Sequence, residues 1–158
     1  MKFYLFLLSF LLIVNDSLSQ NFPEKTGEIN TDTLALVWFK GQKDSLYLYA
    51  PNKEIMSEII AKVDHEVHAE IALGTWCEDS YLVVPQMIST LEKAGIKYTL
   101  TGVNRLKACP FENEKCQTWD IVNVPTLKLF KGKNLLGVIF EFPQKTIESD
   151  LAGFLFNR

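Results

Sequence analysis

The chain has 158 residues, which is the length of about one domain. Hydrophobic residues make up 47% of it and charged residues 22%, a composition that excludes general disorder. Its 16 lysines and arginines are outnumbered by 19 aspartates and glutamates, so no basic excess exists to neutralise phosphates and we expect no nucleic-acid partner. Three cysteines are too few for a disulfide scaffold, and the odd number leaves one thiol over.

The first residues have the pattern of a secretory signal. Lys2 gives a positive start, residues 3–14 are apolar apart from Ser9, and Ser17 and Ser19 are small residues suited to cleavage before Gln20. The run is shorter than the roughly 20 apolar residues of a membrane span, although an uncleaved anchor is the alternative. We therefore predict a signal peptide over residues 1–19 and an extracytoplasmic protein, periplasmic or secreted, that is not stably bound to the membrane after cleavage. Disulfides persist in such a compartment.

Residues 21–32 are polar and predict a loose leader. Apolar runs at residues 34–39 and 46–49 surround a turn-rich segment and predict a hairpin. Asn52 is a candidate cap for a helix, and residues 67–73 predict a buried strand that ends at Gly74.

A second helical pattern follows Cys77 and stops at Gly95. Strands are predicted over residues 98–103, 126–130 and 135–142, before a last amphipathic helix that starts near Ile147. The early alternation of strands and helices implies parallel pairing, and the closing hairpin implies an antiparallel edge. The prediction is an α/β domain over residues 45–158, with a central mixed sheet flanked by helices and an N-terminal extension over residues 20–44.

Cys77 lies where a buried strand gives way to a helix. Unpaired backbone N–H groups and the helix dipole at that point favour the thiolate, which is the reactive form. Ser80 is one helical turn further on and could donate a hydrogen bond to the sulfur, whereas the charges of Glu78 and Asp79 oppose a further anion. An inert buried cysteine is the alternative.

The segment Trp76-Cys77-Glu78-Asp79-Ser80 resembles the tryptophan–cysteine–x–x–cysteine active site of the thioredoxin family. Pro85 stands where that family has a proline in the following helix, and Val124-Pro125-Thr126 resembles the family's cis-proline loop. Residues 128–133 are similar to its closing hairpin. The resemblance covers roughly residues 45–158 and implies a thioredoxin-like fold.

The resemblance also implies roles for individual residues. Pro125 would be cis and lie beside Cys77, Val124 would pair its backbone with an extended substrate strand, and Trp76 would form part of an apolar rim. The alternatives are that Trp76 is a core residue and that Pro125 is an ordinary turn proline.

Two positions depart from the family pattern. Ser80 replaces the second cysteine, so a mixed disulfide at Cys77 would persist until another thiol attacked it. Ile71 stands where thioredoxins have a buried aspartate, and the adjacent Glu70 would face the opposite side of the strand. No carboxylate is therefore assigned a proton-relay role.

Cys109 and Cys116 lie between a predicted strand and the Pro125 loop. We expect them to form a structural disulfide; the alternative is that one of them resolves a mixed disulfide at Cys77. His65 and His68 fall at the entry to a strand, where their spacing turns them to opposite sides, so no metal site is predicted.

The resulting hypothesis is thiol–disulfide exchange through Cys77, of isomerase or reductase type, with Ser80 tuning the thiolate. Its partners would be exported proteins that contain cysteine, or a small thiol such as glutathione, and no cofactor is expected. The alternative is a binding module that keeps a groove for extended polypeptides and has lost redox turnover.

Overall fold

The computed structural model describes residues 22–106 and 123–156. Within them the chain forms a five-stranded sheet, four α-helices and one short 3-10 helix. In chain order these elements are β1 (Gly27–Ile29), α1 (Thr31–Phe39), the 3-10 helix (Lys43–Tyr47), α2 (Lys53–Lys62), β2 (Val67–Leu73), α3 (Glu78–Ala94), β3 (Lys97–Gly102), β4 (Thr126–Lys131), β5 (Asn134–Phe140) and α4 (Ile147–Phe156).

The strands are ordered β1-β3-β2-β4-β5. Strands β2 and β3 are parallel and are joined by α3, whereas the other three pairings are antiparallel. The predicted α/β class, the mixed sheet flanked by helices and the antiparallel closing hairpin are confirmed. Central strand β2 is buried along the run Ile71–Leu73, which explains why these three consecutive residues are all apolar.

Local signals fix the ends of the helices that the sequence predicts. The Asn52 side chain accepts a hydrogen bond from the Ile55 N–H at the start of α2. Gly95 ends α3 in the left-handed conformation, with a φ of 69°, and its N–H donates to the Leu91 and Glu92 carbonyls. The helix after Cys77 therefore has the predicted bounds.

The predicted leader and hairpin before residue 50 are wrong. Residues 27–29 form strand β1, which pairs with β3, and residues 31–39 form helix α1. The Asn30 side chain caps this helix by accepting from the Thr33 N–H, and Leu34 and Trp38 then lie one turn apart on a buried face. A short, fully apolar run fits a strand and a helix equally well, so only packing decides between them. The described part of the predicted N-terminal extension thus adds an edge strand and core side chains to the sheet.

Three neighbouring strands have a terminus at the same end of the sheet, which is the carboxyl end of β2 and β3. Strands β2 and β3 are parallel and both finish there, and β4 begins there because Thr126 pairs with Ala72. Loops that follow such strand ends lie next to each other, which is where α/β proteins commonly place their sites. The loop that carries Cys77 follows β2 at this end of the sheet.

Candidate functional site

Cys77 ends a tight loop and caps helix α3. Its N–H donates to the Gly74 carbonyl at 2.9 Å, and its backbone is extended, as at other helix caps. Its side chain is half-buried, and its thiol is free. The loop therefore presents the sulfur at the amino end of a helix, where the N–H groups of the first turn have no partner within the helix.

The Pro125 loop lies against this sulfur. The Cys77 Sγ is 3.5 Å from the Val124 carbonyl oxygen, and the Val124–Pro125 peptide bond is cis. The cis form of Pro125 and its position beside Cys77 are confirmed. Both Val124 and Pro125 are buried, so the loop offers the site its backbone more than its side chains.

Trp76 is half-buried and belongs to the edge of the site, not to the core. Its Nε1–H donates to the Val103 carbonyl at 3.0 Å, and the Arg105 guanidinium lies 5.1 Å from the centre of its ring. A Cβ at Gly74 would come within 2.8 Å of the same ring, so glycine leaves the room that the indole occupies. The Trp76 side chain thus has a fixed position next to Cys77.

Ser80 has a different partner from the one predicted. Its hydroxyl is fully buried and accepts a hydrogen bond from the Gly74 N–H at 3.2 Å. Within the described residues no hydrogen bond joins Ser80 to Cys77, and the thiol contacts the Val124 carbonyl instead. Because the side chain of a residue in the first helical turn points back toward the preceding loop, Ser80 ties that loop to the helix. It is a positioning residue for Cys77.

Thr75 is a part of the site that sequence reasoning missed. Its hydroxyl donates to the Pro23 carbonyl at 2.7 Å and accepts from the Lys25 N–H at 2.8 Å. Its carbonyl accepts from the Trp38 Nε1–H at 2.9 Å. The N-terminal segment and α1 therefore fix the loop before Cys77, and no local signal in the sequence links these distant positions.

The remaining predicted residues lie away from Cys77 or outside the described residues. Cys109 and Cys116, the predicted structural disulfide, fall in residues 107–122, outside the described part of the chain. Ile71 is fully buried in β2, and His68 stacks on Phe130 with ring centres 5.3 Å apart. Among the described residues there is no cluster of three metal-binding side chains, and no helix has both the length and the apolar character of a membrane span.

No family model and no curated protein matches this sequence. A solved structure does match in fold: the 1.5 Å crystal structure of a protein of unknown function from Pseudomonas aeruginosa. The two share 12% sequence identity with a TM-score of 0.52, over 68% of this chain and 75% of that one. At this identity the likeness concerns the fold alone.

Proposed function

We propose that this chain is an exported thioredoxin-like protein that acts in thiol–disulfide exchange through Cys77. The observation that carries the proposal is the free, half-buried Cys77 sulfur at the start of α3, 3.5 Å from the carbonyl before cis Pro125. A thiol at a helix start has unpaired N–H groups beside it, which stabilise negative charge on sulfur. The adjacent loop supplies backbone against which a disulfide-containing segment can lie.

The chemistry requires two exchange steps. The Cys77 thiolate attacks one sulfur of a substrate disulfide; that S–S bond breaks, and the other substrate sulfur leaves as a thiolate with the electron pair. A second thiolate then attacks the resulting mixed disulfide and releases the Cys77 thiolate. If the second thiolate belongs to the substrate, the disulfide is isomerised without net redox change. If it comes from glutathione, the substrate sulfur is left in a mixed disulfide with glutathione, and a second glutathione must attack that bond to complete the reduction and leave as oxidised glutathione.

The residue at position 80 favours isomerisation over net oxidation. Ser80 cannot attack a mixed disulfide, and its hydroxyl is already engaged with the Gly74 N–H. The second thiol must come from the substrate, from a small thiol, or from Cys109 or Cys116. Export and the signal peptide over residues 1–19 belong to the same proposal, and N-terminal sequencing of protein made in its native host tests them.

A second candidate is a binding module for extended polypeptides. The observation that favours it is the same buried Ser80, because the helix start holds one cysteine and no second thiol to complete a redox cycle. Trp76 would then provide an apolar contact and the Val124 backbone the hydrogen bonds. This binding function requires the surface formed by Trp76 and the Val124 backbone, and it does not require the Cys77 sulfur.

Two assays on the same variants separate the candidates. The first follows reactivation of a scrambled-disulfide substrate with glutathione, and the second follows binding of an unfolded, carboxymethylated polypeptide that contains no thiol. For exchange, we expect Cys77→Ser to abolish reactivation, whereas a Cys109→Ser, Cys116→Ser protein retains it. For binding, we expect Cys77→Ser to bind normally and Trp76→Ala to bind at least tenfold more weakly. Reactivation by Cys77→Ser at the wild-type rate would refute the exchange proposal.

A further inference from the structure

Arg105 places a positive charge beside the tryptophan of the site. Its guanidinium carbon lies 5.1 Å from the centre of the Trp76 ring, close enough for the cation to be attracted to the face of the ring. The position of a Cβ on Gly74 would be 2.8 Å from this ring and 3.2 Å from the Cys77 Cβ. The guanidinium and the Cys77 side chain are therefore both neighbours of the same indole.

The loop that carries Arg105 is fixed by backbone hydrogen bonds. The Val103 N–H donates to the Leu73 carbonyl at 2.9 Å, and the Val103 carbonyl accepts from the Trp76 Nε1–H at 3.0 Å. The Arg105 N–H donates to the Glu24 Oε2 at 3.0 Å. Because the backbone that carries the guanidinium is already ordered, a ligand that binds there loses less free energy to ordering the loop.

The Arg105 guanidinium is available to an anion. Arg105 is exposed, and among the described residues its side chain has no ion pair and donates no hydrogen bond. The Glu24 carboxylate accepts from the backbone of Arg105 and not from its guanidinium. A guanidinium presents five N–H donors in one plane, in an arrangement that matches the two oxygens of a carboxylate.

We propose that Arg105 selects substrates that carry a carboxylate close to the disulfide, as glutathione does and as a polypeptide with a neighbouring acidic side chain does. The inference rests on the proposed exchange at Cys77 and specifies its substrate class. The bound carboxylate holds the disulfide beside Cys77, whose thiolate attacks one sulfur; the S–S bond breaks, and the other sulfur leaves as a thiolate with the electron pair. Glu78 and Asp79, in the first turn of α3, repel the same carboxylate, so a preference for acidic substrates requires Arg105.

Alkylation by two reagents of nearly the same shape tests the charge without requiring exchange. In the complete chain with Cys109→Ser and Cys116→Ser, Cys77 is the remaining thiol, and its rates with iodoacetate and with neutral iodoacetamide are compared. The ratio of the two rates cancels any change in the amount of thiolate. We expect Arg105→Gln to lower this ratio about threefold at low salt, and about 0.5 M NaCl to remove most of the difference. Lys97→Gln, at the other end of β3, is the matched control and should leave the ratio unchanged.

Exchange with matched small disulfides tests the substrate class. Hydroxyethyl disulfide is neutral, dithiodipropionate carries two carboxylates, and mass spectrometry follows the mixed disulfide that each forms at Cys77. We expect Arg105→Gln to lower the ratio of the anionic to the neutral rate about fivefold, and Arg105→Glu to lower it further, while the neutral rate changes less than about twofold. A ratio that is unchanged in both variants would overturn the inference and leave exchange standing. No reaction with either disulfide would refute the exchange proposal and the substrate class that rests on it.

Two further pairs of substrates identify the source of the carboxylate. Oxidised glutathione is compared with its methyl ester, and a disulfide peptide with glutamate beside its cysteine is compared with the same peptide carrying glutamine. A preference for the acidic member that is lost in Arg105→Gln supports the inference. If it occurs in the glutathione pair alone, the substrate is the small thiol; if it occurs in the peptide pair alone, the substrate is an acidic polypeptide. No preference that depends on Arg105 in either pair would overturn the inference.

Discussion

Helices α3 and α4 both begin with a polar side chain that faces another segment of the chain, but the two are partnered very differently. Glu148, in the first turn of α4, is 2% exposed; its Oε2 accepts from the Tyr49 hydroxyl at 2.8 Å and its Oε1 from the Asn52 N–H at 3.0 Å. Cys77, at the start of α3, is half-buried and has one long contact, 3.5 Å, with the Val124 carbonyl.

The difference separates a side chain with several hydrogen-bond partners from one with a single long contact. Burial raises the pKa of Glu148, but the hydrogen bonds from the Asn52 backbone, its own backbone and Tyr49 outweigh it and hold that pKa below its ordinary value. The ionised carboxylate therefore ties α4 to the segment that leads into α2. Among the described residues the Cys77 sulfur has no such set of donors from side chains.

Replacing Glu148 by alanine should have the largest effect on stability. The change leaves two donors, the Tyr49 hydroxyl and the Asn52 N–H, without their acceptor, and we expect the free energy of unfolding to fall by about 3 kcal/mol. Urea unfolding at pH 7 measures it. Cys77→Ser is the comparison and should change the same quantity by less than about 0.5 kcal/mol. Equal losses in the two variants would erase the distinction between the sites.

The contribution of Glu148 to the stability of the fold should depend on pH. Since its native pKa is lower than in the unfolded chain, its contribution is present above the ordinary value near 4.5 and is lost as the pH falls through the native pKa. The stability gap between wild type and Glu148→Gln should therefore narrow on acidification. A gap that stays constant between pH 7 and pH 3 would contradict an ionised Glu148.

Gly74→Ala tests how far the Cys77 loop depends on close packing. The new Cβ would lie 2.8 Å from the Trp76 ring and 3.2 Å from the Cys77 Cβ, so the indole must move. We expect a loss of about 2 kcal/mol in unfolding free energy and a changed rate of Cys77 alkylation, both relative to wild type. Gly41→Ala, at an open turn position with a φ of 86°, strains the backbone outside the Cys77 loop and is a control for the effect of destabilisation alone on alkylation. An unaltered alkylation rate would show that the indole does not position the sulfur.

Tyr49→Phe should have the smallest effect on the free energy of unfolding, and it isolates the hydrogen bond between the Tyr49 hydroxyl and Glu148. At pH 7 the loss of one hydrogen bond to the carboxylate is expected to cost about 1.5 kcal/mol. Burial, together with the bond to Glu148, raises the pKa of Tyr49 to about 12, so its neutral form stabilises the fold below pH 10 and this contribution is lost as the pH rises toward 12. The gap between wild type and Tyr49→Phe should shrink between pH 8 and pH 11 in guanidinium unfolding. A gap that widens instead would contradict this assignment.

The sequence alone determined the elements whose ends carry local signals. The side chain of Asn52 caps α2, Gly95 permits the left-handed end of α3, and the apolar run at β2 predicts a buried central strand. The position of Cys77 at a helix start followed from the same signals. These features depend on residues a few positions apart, so hydrogen bonding and conformational freedom within one turn are enough to specify them.

Only the tertiary structure decided which distant groups meet. The apolar run of helix α1 has no period of its own and therefore predicts a hairpin strand equally well. The hydrogen bond that the Trp38 Nε1–H donates to the Thr75 carbonyl forms only in the folded chain. The partner of Ser80 and the partners of Glu148 were likewise unpredicted. A buried polar group forms a hydrogen bond with whichever donor or acceptor the fold brings within reach. That partner can be far away in the sequence, so it depends on how distant segments are buried together.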